Sequence, residues 1–210
     1  YFGGGAVSLA SANEDIVALA LLDDGRILVS VRSSYHTGNI SGDDGDVIAF
    51  TPTSLGENTT GSWEIYFDGS DVSLQNEDVD GLSVYPNGDM YLSSAGAFDL
   101  GTTNIRDEDV FIFHPDTLGA DTTGTYATGL FFDGTLFGLV VYDIRALHIP
   151  VPKRSSADFV QDLAINGLDF LAWQIGFGTT SGALPGDGDS DNDGDVDGDD
   201  LAVWESTYGQ

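Results

Sequence analysis

The chain has no cysteine. That excludes disulfides, thiolate metal sites and a thiol nucleophile. Basic residues are nearly absent as well. Six Lys and Arg stand against 35 Asp and Glu, a formal charge of −29. A field of that sign repels polyanions, so nucleic acid and anionic membrane surfaces are excluded as partners. No apolar run approaches the ~18 residues of a membrane span. No basic-then-apolar signal segment opens the chain. Its first residues, "YFGGGAVSL", read as the inside of a folded domain, so a processed mature form is expected. No glycine-rich phosphate loop follows a strand. The three histidines, His36, His114 and His148, are far apart and fall in neither a nucleophile motif nor a zinc pattern. With carboxylates throughout, no glycosidase-like pair can be singled out. These gaps favour a non-enzymatic protein.

What remains is ample. The apolar share of 41% allows a real core, and 210 residues suit one domain of roughly 150 plus a small second one. Such dense negative charge disfavours compaction, so bound counter-ions should stabilise the fold. A protein that meets cations, or one kept soluble at high ionic strength, is expected.

An internal duplication organises the first part of the chain. "NEDIVALALLDDGRILVS" from Asn13 returns as "NEDVDGLSVYPNGDMYLS" from Asn76, an offset of 63. "GDVIAFTPTSLG" (45–56) returns as "EDVFIFHPDTLG" (108–119), and "YFDGS" (66–70) as "FFDGT" (131–135) after a two-residue slip. Such periods mark repeat architectures. The opening residues resemble 66–78, and "YDIRALHI" (142–149) resembles "EDIVALAL" (14–21). The β region, 1–152, therefore divides into the tail of a unit (1–12), two repeats (13–75 and 76–140) and the head of another (141–150). Each repeat predicts four strands, near 15–22, 26–33, 45–51 and 62–68, then 78–85, 89–95, 108–114 and 125–132. Further strands are expected near 6–9 and 142–149. Asp24-Gly25, Asn87-Gly88, Asp68-Gly69 and Asp133-Gly134 are expected to supply the positive φ of tight turns. The predicted class is mainly β: a pseudo-twofold barrel or sandwich, with propeller-like blades as the alternative. Such repeats resemble modules of large secreted bacterial proteins, which implies an extracellular setting.

Residues 153–157 read as a linker, with Lys153 and Arg154 as plain linker residues or as contacts to an acidic neighbour. Beyond it Asp recurs at nearly every second position from 187 to 200. Read as a twelve-residue loop, 189–200 places oxygens at positions 1, 3 and 5 (Asp189, Asp191, Asp193) and Gly194 at the sharp turn. Asp195 offers its carbonyl, Val196 faces inward, Asp197 acts through water and Asp200 closes the loop. That is EF-hand spacing, and Ca²⁺ is the cation it suits, being hard and tolerant of irregular geometry. A second copy lies 31 residues earlier. Asp158, Asp162, Asn166 and Asp169 fall on Asp189, Asp193, Asp197 and Asp200, and Trp173 falls on Trp204. Val160 and Leu163 replace one ligand and the turn glycine, so this first loop reads as degenerate. Two such loops, each followed by one helix, resemble a dockerin over 158–210. The resemblance implies a duplicated, calcium-stabilised module of a secreted bacterial protein. Cellulosomal dockerins carry hydroxyl pairs at loop positions 10 and 11 for their cohesin partner. Here those positions hold Gly167-Leu168 and Gly198-Asp199, so the cohesin contact does not carry over. Trp173 and Trp204 are expected as core anchors.

The acidic turns at 13–15, 43–46, 76–78 and 107–109 read first as solvated loops and second as further calcium sites. Asn39 and Asn58 begin N-glycosylation triplets, which are expected to go unused in a bacterium. Together the sequence predicts an exported, calcium-binding structural protein. It would assemble with itself into a surface layer or filament through free edge strands. Attachment to a receptor domain or a glycan is the alternative, and a fragment of a propeller-like enzyme the third reading.

Overall fold

The computed structural model describes residues 7–9, 11, 14–101, 103–150, 156–162 and 164–209. The chain divides into two compact units, Tyr1–Pro150 and Val151–Gln210.

Among the described residues the first unit holds twelve strands. β1 (Ile16–Leu21), β2 (Ile27–Val31), β3 (Tyr35–Thr37), β4 (Ile40–Gly42), β5 (Val47–Ser54) and β6 (Thr60–Phe67) come from the first repeat. β7 (Val79–Val84), β8 (Met90–Ser94), β9 (Phe98–Asp99), β10 (Asn104–Ile105), β11 (Phe111–Thr117) and β12 (Thr123–Tyr126) come from the second. Each repeat builds one open antiparallel meander, in the order β1-β2-β5-β6 and β7-β8-β11-β12, with a small hairpin (β3-β4 or β9-β10) between its second and third long strands. Neither sheet closes, so the expected barrel does not form. Four-stranded meanders of this kind are the form of propeller blades.

Two apolar layers account for the sheets. In β2, Leu28 points to one face while Ile27, Val29 and Val31 point to the other, and all are buried. This is the period of two expected of a strand. The Leu28 face, with Ala18 and Ala49, shares one core with Leu82, Leu92, Phe111 and Phe113 of the second sheet. The opposite face packs Ile48 and Phe50 against Val7 and Leu9. Phe50, Phe67, Phe111 and Phe113 are almost wholly buried, each worth about 1.5–3 kcal/mol of apolar transfer. The Ser30 hydroxyl donates to the Val79 carbonyl, tying β2 to β7.

Two expected strands do not appear among the described residues. Residues 7–9 turn rather than pair, and the Val7 carbonyl accepts the Trp63 indole N–H (2.8 Å); residue 6 lies outside the described residues. The stretch 142–149 forms no ladder. Its contacts to the sheet include Ile144 N–H donating to the Asp107 carbonyl (2.9 Å) and Ile149 N–H donating to Ser83 Oγ (3.1 Å).

The Asx-Gly pairs divide. Gly25 and Gly88 take φ of 88° and 94° in hairpin turns, as expected. Gly69 and Gly134 do not have positive φ; each starts a 3₁₀ turn. Glycine is needed there for space. A Cβ at Gly69 would lie 2.3 Å from the Gly45 carbonyl oxygen, and one at Gly134 2.3 Å from that of Glu108. The approach is held by buried aspartates from the acidic turns. Gly69 N–H donates to Asp46 Oδ1 (3.0 Å), and Gly134 N–H donates to Asp109 Oδ1 (3.1 Å). Asp46 and Asp109 are thus structural staples copied with the repeat, not solvated turn residues.

Among the described residues the second unit contains two α-helices, α1 (Gly167–Gly176) and α2 (Gly198–Thr207). No helix among the described residues is long and apolar enough to cross a membrane.

Candidate metal centre

From residue 156 to 209 the chain has twelve carboxylates and no Lys, Arg or His. What repulsion would scatter, helix starts gather. Asp197 caps α2 and Asp200 is its third residue. The Asp197 side chain accepts Asp199 N–H (2.7 Å), while Asp200 Oδ2 accepts Asp197 N–H (2.7 Å). This reciprocal capping satisfies orphan donors at the helix N-terminus, where the dipole also favours negative charge. Asn166 and Asp169 repeat the device on α1: Leu168 N–H donates to Asn166 Oδ1 (2.8 Å) and Asn166 N–H to Asp169 Oδ2 (2.9 Å). Each loop therefore enters its helix through its last two ligand positions.

The other oxygen of each closing aspartate reaches back across its loop. Asp200 Oδ1 accepts Ser190 N–H (2.7 Å), and Asp169 Oδ1 accepts Val160 N–H (3.1 Å). Asp189, at the head of the second loop, accepts Asn192 N–H (2.7 Å) and Gly194 N–H (3.1 Å). Gly194 turns with φ of 91°, in the role its position predicted, and Val196 is fully buried.

Three groups of carboxylates result, each with one oxygen per residue and all within 4.8 Å of one another. They are Asp158, Asp162 and Asp169; Asp189, Asp191 and Asp193; and Asp195, Asp197 and Asp200. These groups could hold a metal ion. The second loop places all six expected residues, as two adjacent groups rather than one ring. Asp195 joins through its carboxylate, where only its carbonyl was expected. The first loop also gathers its three aspartates, with Asn166 beside them as the helix cap; Leu163 lies outside the described residues. Asp158, Asp169, Asp189 and Asp200 are buried. Loss of water, and then the crowd of neighbouring carboxylates, raises Asp195 and Asp191 above the usual range; for Asp191, Asp193 N–H opposes the rise. Asp195 Oδ1 is shielded from solvent and has no hydrogen-bond partner in the protein. Hard oxygens, like charges and a missing donor form the donor set a hard cation requires.

A pseudo-twofold joins the loops. The Trp173 indole donates to the Asp197 carbonyl (2.8 Å), and the Trp204 indole donates to that of Asn166 (3.1 Å). Gly178 N–H donates to the Val196 carbonyl (2.9 Å) and Gly209 N–H to that of Ile165 (3.2 Å). Each helix thereby anchors the other's loop. Phe170 stacks on Trp173 and meets Trp204 at a tilt, with centroids 5.6 and 5.0 Å away, over a core that includes Phe159 and Val196. The tryptophans are core anchors.

The histidines do not converge on a site. His114 pairs with Asp89 (2.6 Å). Comparison with protein families, curated proteins and solved structures finds no match to this chain.

Proposed function

We propose that this protein is an exported, non-enzymatic, calcium-binding structural protein whose C-terminal unit is a dockerin-like module folded around Ca²⁺. The observation that carries the reading is the gathering of nine carboxylates into three close groups in a unit whose described residues include no basic side chain. Calcium fits because it takes six to eight oxygens in flexible geometry and neutralises two charges per ion. Magnesium would demand a small octahedron. Asp189, Asp191, Asp193 and Asp200 would hold the ion of the second loop, with Asp195 and Asp197 beside them. Asp158, Asp162 and Asp169 would form the weaker site of the first.

The β unit supports self-assembly. Its sheets are open, with β1, β6, β7 and β12 at their edges, and open edges are templates for pairing. Leu136, Phe137, Val141 and Tyr142 are each more than 60% exposed. At an offset of 65 their counterparts one unit earlier are Asp71, Val72, Asn76 and Glu77, so the later copy carries apolar residues at mostly polar outward positions. With −29 on each chain, association requires cations to screen repulsion. A filament or surface layer of like subunits is the form this reading takes.

A second reading rests on α1. Leu168, Leu171 and Ile175 form an exposed stripe along it, suited to a receptor domain. Size-exclusion chromatography with light scattering, first in EGTA and then in about 2 mM calcium, separates the two. Large species in calcium support assembly. A monomer that calcium merely stabilises rejects assembly and leaves attachment.

A further inference from the structure

The β unit holds a second collection of carboxylates, far in sequence from the loops. Asp78 and Asp143 head the first-strand segments of successive repeat units, in "NEDVDGLS" and "VYDIRALHI". Asp80 lies two residues on, inside β7, where the first repeat has Val17. Asp80 is 2% exposed. Its Oδ1 accepts the Ser93 hydroxyl (3.0 Å), which also lies 2.7 Å from the Ile144 carbonyl. The Asp143 carboxylate lies against that of Asp80, and its Oδ2 accepts Arg145 Nε–H (2.6 Å).

The other oxygens are unmatched. Asp78 Oδ1, Asp80 Oδ2 and Asp143 Oδ1 are closed to solvent and accept no N–H or hydroxyl group of the protein, while Asp80 and Asp143 meet carboxyl to carboxyl. A native fold rarely leaves even one such oxygen buried; here there are three, on neighbouring carboxylates. Asp78 and Asp80 line a cavity of about 200 Å³ with Arg32, Arg145, Ile16, Val17 and Ala95. The arginines do not complete the site. Both residues are exposed, and once all three carboxyls are ionised two guanidinium groups leave them one charge short. What is missing is a compact positive species that touches oxygen inside the cavity.

We propose that Asp78, Asp80 and Asp143 form a cation site of the β unit that takes a hydrated divalent cation of calcium's class. Unlike the groups of the C-terminal unit, these oxygens do not all lie within 4.8 Å of one another, so at least one reaches the ion through water. The cavity has room for that water. The ion ties β7 to the 143–149 segment, which lacks a backbone ladder. This is a different site from the loops, in a different unit, and it stands whether or not they bind.

Calcium titration of the full chain by calorimetry, near pH 8, tests it. Asp80→Asn keeps the side-chain shape and an oxygen for Ser93, so it should fold, and in EDTA it should melt no lower than the wild type. The expected result is one calcium ion fewer per chain than in the wild type, with the remaining binding unchanged. Asp143→Asn should remove the same ion, and it decides the matter if Asp80→Asn does not fold. Equal stoichiometry in wild type and variants overturns the proposal. If the loops themselves bind nothing, the wild type still takes up one ion and Asp80→Asn none, so failure of the loop reading stays distinguishable.

Discussion

Chelation should act on the two units unequally, because their carboxylates are compensated differently. In the C-terminal unit the buried Asp169, Asp189 and Asp200 have only N–H and O–H groups to offset their charge among the contacts described. An ion that binds the folded loops and not the unfolded chain stabilises by RT ln(1 + [L]/Kd). For a loop with Kd of about 10 μM in about 1 mM calcium, that is roughly 2.7 kcal/mol. If the first loop binds as well, the figure approaches twice that. For a domain this small, each kcal/mol moves Tm by about 4–8 °C, so one ion shifts the transition by about 10–20 °C.

Tryptophan emission can read this shift by unit. Trp63 lies in the β unit, while Trp173 and Trp204 lie in the C-terminal unit with their indoles bonded to loop and cap carbonyls. Melting in EDTA and then in 1 mM calcium should move the transition seen by Trp173 and Trp204. A Trp63→Phe variant isolates their signal. Asp200→Asn should abolish most of the shift, because Asp200 both closes the loop and accepts Ser190 and Asp197 N–H groups. A C-terminal transition at one temperature in both buffers refutes the reasoning: the carboxylates would then be held apart by water and backbone donors alone.

Two predictions concern the β unit. Burial, resisted by Gly69 N–H, lifts Asp46 to about 6, and burial likewise raises Asp43 and Asp109. The folded state therefore holds protons that the unfolded chain has already released between roughly pH 4 and 6, so stability falls as pH rises through that window. Calorimetry in EDTA should give a higher β-unit Tm at pH 5 than at pH 7.5, and the reverse order contradicts the assignment. Asp46→Ala strands Gly69 N–H, Asp43 N–H and the buried Tyr35 hydroxyl. It should cost about 3–5 kcal/mol in urea denaturation, and a loss below 1 kcal/mol means that water replaces the staple.

The parts legible in the sequence were those set by spacing along the chain. The offset of 63 gave two sheets of equal connectivity, because each strand's partner lies close in sequence. Loop ligands were legible for the same reason, since capping ties positions 9 and 12 of each loop to its own helix. Position-by-position reading undervalued the first loop. Val160 lacks a carboxylate, yet its N–H reaches Asp169 as Asp191 N–H reaches Asp200. Gln161 takes φ of 59° where Asn192 takes 62°. The loop's path depends on backbone donors, so losing a side-chain ligand does not undo it.

What stayed hidden depends on contacts between distant segments. A strand is a pairing relation, and 142–149 repeats the pattern of β1 without acquiring its ladder. Asp-Gly at 68–69 signalled a turn, but the constraint on Gly69 comes from the Gly45 carbonyl across the sheet. The short hairpins at 35–42 and 98–105 gave no periodic signal because they are two or three residues a side. Asp80 was visible in the sequence as a lone acid between Val79 and Leu82. Its significance appears only where the fold brings Asp143 against it, 63 residues later. An acid inside an otherwise apolar strand is costly unless something distant answers it. In this chain the Ser93 hydroxyl answers one oxygen of Asp80 and another acid faces the carboxyl, and that mismatch is the physical argument for a cation between them.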